Sequence, residues 1–303
     1  FLTYSVFARR HPFALFLIPI LIIGAFFAFS SLRTPISYSS DNPEAVKLFD
    51  GGVEALRRGT YSKAGKLLED AVRIDNNFAL AHARLAEAWM ELDYVGRAQS
   101  ELLKVRNIQQ EAQNRWFSYP RTDETLYIHA LNATVMRDYP KAVTVYDAIV
   151  QLSPESPHAR LDLGRAFEKN EEIEKAIESY QKAAALDAQD GAAFLRLGVL
   201  YSRKSEFEDS FAAFDKAENI YDRQSDDEGV AEVKIQRGIS FNSQEKLDLA
   251  RRQFEQVLAI PRANKYQKIK ALLQISSACS SEGKTSCGEE YASNAINLAR
   301  EER

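Results

Sequence analysis

The chain has 303 residues, a length that suits about two ordinary domains. With 45% hydrophobic and 27% charged residues it is neither wholly disordered nor collagen-like, and a net charge of −4 offers no overall positive excess for nucleic acid. Two cysteines are too few for a disulfide scaffold or a four-thiolate zinc site, and the four histidines are scattered, so no metal or cofactor is expected. The chain opens on Phe1 rather than Met, and further sequence is expected before it.

From Phe13 to Phe29 the sequence reads FALFLIPILIIGAFFAF, without a charge. Extended to Leu32, the run is long enough for a helix of ~30 Å, the thickness of a bilayer core. Pro19 and Gly24 are tolerated in such helices. Arg9, Arg10 and His11 precede the run and only Arg33 follows closely, which places residues 1–12 in the cytoplasm. A buried core helix is disfavoured because no face is polar. A cleavable signal peptide ending near Ala28-Phe29-Ser30 stays open, although the run exceeds the usual length of about 7–15 residues. The expectation is a single-pass membrane protein, held in the lipid bilayer by residues 13–32, with the remainder on the extracytoplasmic, periplasmic side.

Residues 33–43, RTPISYSSDNP, read as a linker. Asn42, Pro43 and Glu44 then make a helix start: a capping side chain, a proline at the first position and an acid near the positive helix end.

Beyond Pro43 the apolar pattern is helical throughout. Small residues recur twelve apart: Gly52 and Ala64, Ala86 and Ala98, Ala130 and Ala142, Gly164 and Ala176, Gly198 and Ser210, Gly238 and Ala250. Seven residues after each second member stands another small or β-branched residue, from Ala71 to Val257. A bulkier one lies between them: Leu68, Leu102, Tyr146, Tyr180, Phe214 and Phe254. A weaker seventh copy has Ser276, Gly288, Ala292 and Ala295. The pattern resembles the tetratricopeptide repeat, a 34-residue helix-turn-helix. With the first small residue at position 8, copies start near 45, 79, 123, 157, 191, 231 and 269. The resemblance implies an all-α fold: a right-handed superhelical solenoid of about seven repeats over residues 44–303, preceded by the transmembrane helix. Positions 8 and 20 would face each other where the two helices cross, so only small residues let the backbones approach.

Two insertions interrupt the spacing. Residues 106–122, RNIQQEAQNRWFSYPRT, are expected to lengthen a helix and then turn at Tyr119-Pro120, with Trp116 and Phe117 packed on the solenoid. Residues 222–230, DRQSDDEGV, read as a solvated acidic loop.

Chemistry is sparse. Ala278 to Thr285, ACSSEGKT, matches a relaxed phosphate loop, yet it falls at the turn of the last hairpin with no room for a parallel sheet. No GxSxG, HExxH or EF-hand pattern is present, and no catalytic residue is expected. His82, His129 and His158 are expected in structural roles, and Glu168, Glu171, Glu172 and Glu174 on a solvated face. Cys279 and Cys287 flank the last turn and can form a disulfide if the domain lies outside the cytoplasm.

In the resembled family, positions 2, 5, 6, 9, 12 and 13 of each first helix line a concave groove. Here they include Arg165, Lys169, Arg196 and Arg203, candidates for holding an acidic peptide. The chaperone-tail clamp of that family needs Lys and Asn where this chain has Phe49 and Val53, so that specialised function is not implied. The expected function is a membrane-anchored scaffold that binds a protein or peptide in its groove, without catalysis. A second expectation comes from ALRRGTYSKAGKLLEDAVRIDNNFALAHARLAEAWMELDY and from the RRH before the apolar run. Both resemble the sensory tails of bacterial membrane regulators, whose serine/threonine kinase or winged-helix domain would lie upstream of Phe1.

Overall fold

The computed structural model describes residues 34–36, 39–113, 118–120 and 122–300. Fourteen helices run through them: α1 (Pro43–Arg58), α2 (Tyr61–Ile74), α3 (Ala79–Glu91), α4 (Val95–Gln113), α5 (Thr122–Val135), α6 (Tyr139–Leu152) and α7 (Pro157–Lys169), followed by α8 (Ile173–Leu186), α9 (Gly191–Arg203), α10 (Phe207–Arg223), α11 (Asp227–Ser243), α12 (Leu247–Ala259), α13 (Lys265–Ser281) and α14 (Thr285–Arg300). Each odd-numbered helix packs on the even-numbered helix after it, giving a row of helical hairpins.

Local chemistry sets the ends of these helices. The Asn42 side chain accepts from the Glu44 backbone N–H at 3.0 Å, and Pro43 opens α1. Each hairpin turns through one left-handed residue: Gly59, Asp93, Arg137, Glu171, Ser205, Glu245 and Gly283. Each of the seven stands at the fifteenth position counted from the repeat starts of the sequence pattern.

The close approach of the two helices is visible atom by atom. Ser210 Oγ donates to the Gly198 carbonyl at 2.8 Å, and Ser276 Oγ to that of Gly288 at 2.7 Å. The room left by a missing Cβ is taken by the bulkier residue sixteen positions on. A Cβ on Gly164 would stand 2.5 Å from the Tyr180 ring, one on Gly198 2.5 Å from Phe214, and one on Gly238 2.5 Å from Phe254. Those three rings are fully buried and anchor successive hairpins.

Four expectations are corrected or fall outside the described residues. Among the described residues no helix is long and apolar enough to cross a membrane. The longest, α4 with 19 residues, carries Arg97, Glu101, Lys104, Arg106 and Glu111. The single-pass localisation, with its bilayer anchor and periplasmic solenoid, is corrected on that finding; the apolar run at 13–32 lies outside the described residues. Trp116 and Phe117 lie outside them too. Tyr119 and Pro120 belong to a short strand rather than a turn: β2 (Ser118–Pro120) pairs in parallel with β1 (Thr34–Ile36) from the supposed linker. Residues 222–230 are largely helical, because Asp226 caps α11 and Asp227 and Glu228 sit favourably in its first turn. Gly229 there lies against the Tyr221 ring, where a Cβ would stand at 2.5 Å.

Candidate functional site

The row of hairpins curls until its first member faces its fourth, fifth and sixth. α1 thereby meets α9 across the groove that the odd-numbered helices line. Charged side chains fill the space between. Arg84 Nη2 donates to Asp162 Oδ2 at 2.6 Å, and Arg84 Nη1 to Glu87 Oε2 at 2.9 Å. Arg57 reaches the same Asp162 oxygen at 3.4 Å, and Arg165 pairs with Glu87 Oε1 at 2.9 Å. All five side chains are buried. Burial alone would raise the Asp162 and Glu87 carboxyls. For Asp162 the nearby guanidiniums of Arg84, Arg57 and Arg165 outweigh burial and hold it far below the usual carboxylate range. Arg165 and Arg84 hold Glu87 down in the same way.

The four candidate cations are therefore engaged within the chain. Arg165 is on Glu87, and Lys169 Nζ lies 2.6 Å from Glu91. Arg196 Nε donates to the Arg57 carbonyl at 3.1 Å, and Arg203 stands 3.8 Å from Glu168. Glu168, expected on a solvated face, also accepts from the Tyr180 hydroxyl at 2.9 Å.

Open space lies beside this network. A cavity of about 540 Å³ is lined by Phe49, Asp50, Val53, Glu54 and Arg57 of α1, Leu80 and Arg84 of α3, Tyr127 of α5 and His158 of α7. Nearly all stand at the groove positions given above, in the first four hairpins. Arg84 lies 5.9 Å from the centre of the Tyr127 ring, and Phe49 packs 4.7 Å from Phe78. Of the apolar and aromatic residues here the sequence pattern singled out only Phe49 and Val53, and only as departures from the chaperone-tail clamp, while Leu80 and Tyr127 went unnoticed. The signal was the register itself, which puts Phe49, Val53, Leu80 and Tyr127 on the same face. A second space of about 450 Å³ opens on the other side of α1, bordered by Leu48, Gly51, Leu67, Arg58, Lys63 and Glu228.

His82 is buried, with Nδ1 2.5 Å from Glu101 and Nε2 3.0 Å from the Asn76 carbonyl. His129 is exposed. Residues 280–285 span the end of α13, a turn and the first residue of α14, with Gly283 left-handed. Cys279 on α13 and Cys287 on α14 form a disulfide with their Cα atoms 5.9 Å apart. Among the described residues no group of three or more His, Cys, Asp or Glu could hold a metal ion.

Comparison with known proteins bears on the fold and on a stretch of the repeats. No curated protein matches the sequence. Yeast Tom70 is similar in structure, with a TM-score of 0.56 at 15% identity over 89% of this chain and 58% of that one. MamA gives a TM-score of 0.46 at 19% identity, over 61% of this chain and 98% of that one. BtubC from P. vanneervenii gives 0.43 at 14%, over 82% and 91%. The likeness to Tom70 is one of fold alone. Residues 129–191 and 162–228 match the tetratricopeptide repeat model.

Proposed function

We propose that the groove receives a segment of a partner protein, anchored by an apolar side chain in the cavity between α1, α3, α5 and α7. The observation that carries this reading is the lining. Phe49, Val53, Leu80 and Tyr127 converge on about 540 Å³ of open space, a volume suited to a few side chains. Burying such a side chain contributes ~1.5–3 kcal/mol. Arg165 and Lys169 already hold Glu87 and Glu91, so an acidic peptide would have to displace them. An apolar anchor displaces nothing charged. We therefore place the affinity in the apolar wall and the orientation of the bound segment in Asp50, Glu54 and His158 at its edges. This scaffold reading extends the helical-hairpin register to all seven hairpins and involves no catalysis.

The test is a peptide array probed with the full chain, followed by titration of the best binders. Val53→Asp and Leu80→Asp should each weaken binding at least tenfold, while Lys182→Ala on the far side should not. Equal affinity of all three variants for every captured peptide would remove the cavity from the binding surface.

A further inference from the structure

The contact that closes the groove differs from the contacts between successive hairpins. Successive hairpins share buried apolar clusters, such as Ala55, Leu56, Leu68, Leu85 and Trp89 between the first two. No such cluster joins the first hairpin to the fifth or sixth among the described residues. Charge and hydrogen bonds hold them instead. Arg58 pairs with Asp226, and Lys63 Nζ lies 2.8 Å from Glu228 Oε2 without the alignment of a hydrogen bond. Arg196 reaches the Arg57 carbonyl, its guanidinium passing 3.2 Å from the place a Cβ on Gly59 would occupy. Unfilled space flanks α1 on both sides. An interface held by partly exposed ion pairs, with the buried Arg57–Asp162 pair as its inner contact, and bordered by voids is weak compared with the packed apolar faces within the row.

We infer that the first hairpin, α1–α2, is a clasp: it swings on the second hairpin, opening the groove when the pairs Arg58–Asp226 and Lys63–Glu228 separate. Closed, it leaves room for a few side chains. Open, it exposes the whole concave face to a longer segment. Arg57 moves with the clasp and gives up Asp162, which keeps Arg84 as its partner. This regulation rests on the groove as receiving surface, but the movement belongs to the free chain and is read without any partner.

The experiment measures distances between spin labels at exposed Lys66 on α2 and exposed Asp209 on α10 of the full chain. Sodium chloride is raised from ~0.01 M to ~1 M, which shortens the reach of a charge about tenfold. The expected result is one short distance at low salt and a growing longer population at high salt. Asp226→Asn with Lys63→Gln should show the longer population already at low salt, since Asn still caps α11. Lys63→Glu alone should open the clasp, and Lys63→Glu with Glu228→Lys should close it again, a rescue that misfolding cannot imitate. A single distance unmoved by salt and by every variant overturns the clasp, and it leaves the peptide array free to succeed. Opening in Lys63→Glu that the swap fails to reverse overturns the pairing as its latch.

Discussion

Arg84 and Asp162 stand 78 residues apart in the chain, yet they meet at 2.6 Å with both side chains buried. Their helices belong to the second and fourth hairpins, so the contact crosses the groove instead of passing between neighbours. Asp162→Asn leaves Arg84 and Arg57 buried without their shared counter-charge. The expected loss is ~3–5 kcal/mol of folding stability, the range for breaking one side of a buried pair. Urea unfolding of the two proteins at pH 7 checks it.

The same cluster sets the response to acid. Asp162 and Glu87 are held below the carboxyl values of an unfolded chain, about 4. The unfolded state therefore takes up protons first as pH falls. Their stabilisation is fully present above the unfolded values and drains away as pH drops from about 4.5 toward the lower folded values. Stability measured between about pH 5 and 3 should fall more steeply in the wild type than in Asp162→Asn. Asp190 runs the other way, because burial and then Glu54 push its carboxyl up. Asp190→Asn keeps the cap on α9, so it should stabilise the chain at pH 7 and lose that advantage as pH falls through the carboxyl range.

Gly198 tests the match between small and bulky positions. In Gly198→Ala the new Cβ would stand 2.5 Å from the Phe214 ring, and overpacking of this kind costs ~1–3 kcal/mol. Phe214→Leu relieves the clash at the expense of buried area. In a double-mutant cycle the pair should lose less than the sum of the single losses. Additive losses would show that the ring does not set the spacing.

Glu171 is an exposed residue at φ 62°, in the turn between α7 and α8. A side chain in this left-handed region is strained by ~1–2 kcal/mol. Glu171→Gly removes the strain but loosens the unfolded chain, so a net gain of up to ~1 kcal/mol is expected. Thermal unfolding gives the answer directly.

The hairpin register was legible in the sequence because one constraint repeats. Where two helices cross at Gly164, Gly198 or Gly238, a Cβ does not fit, and that steric rule leaves a mark at a fixed interval. The groove's wiring leaves no such mark. Arg165 and Glu87 read locally as charges on a helix face, and their meeting depends on how far the row has turned after three hairpins. That curvature accumulates from small rotations no single residue encodes. Residues 222–230 failed for another reason. Acids that start a helix have the same composition as acids in a solvated loop, and only the cap on Gly229 distinguishes them. Leu80 and Tyr127 share the groove positions of Phe49 and Val53, so the register places all four on one wall, although nothing local to any of them marks a cavity.

A stack of like units ordinarily behaves as a one-dimensional chain of couplings: each unit steadies its neighbour, and any number can be cut from an end. The cross-groove contacts add couplings that skip from one to four units. Asp162 binds the first and second hairpins to the fourth, and Asp226 and Glu228 tie the first to the sixth. Such a stack melts in fewer, larger steps than its length suggests. A break behind α10 would release the opposite end, since Arg58 and Asp226 lie 168 residues apart in the chain.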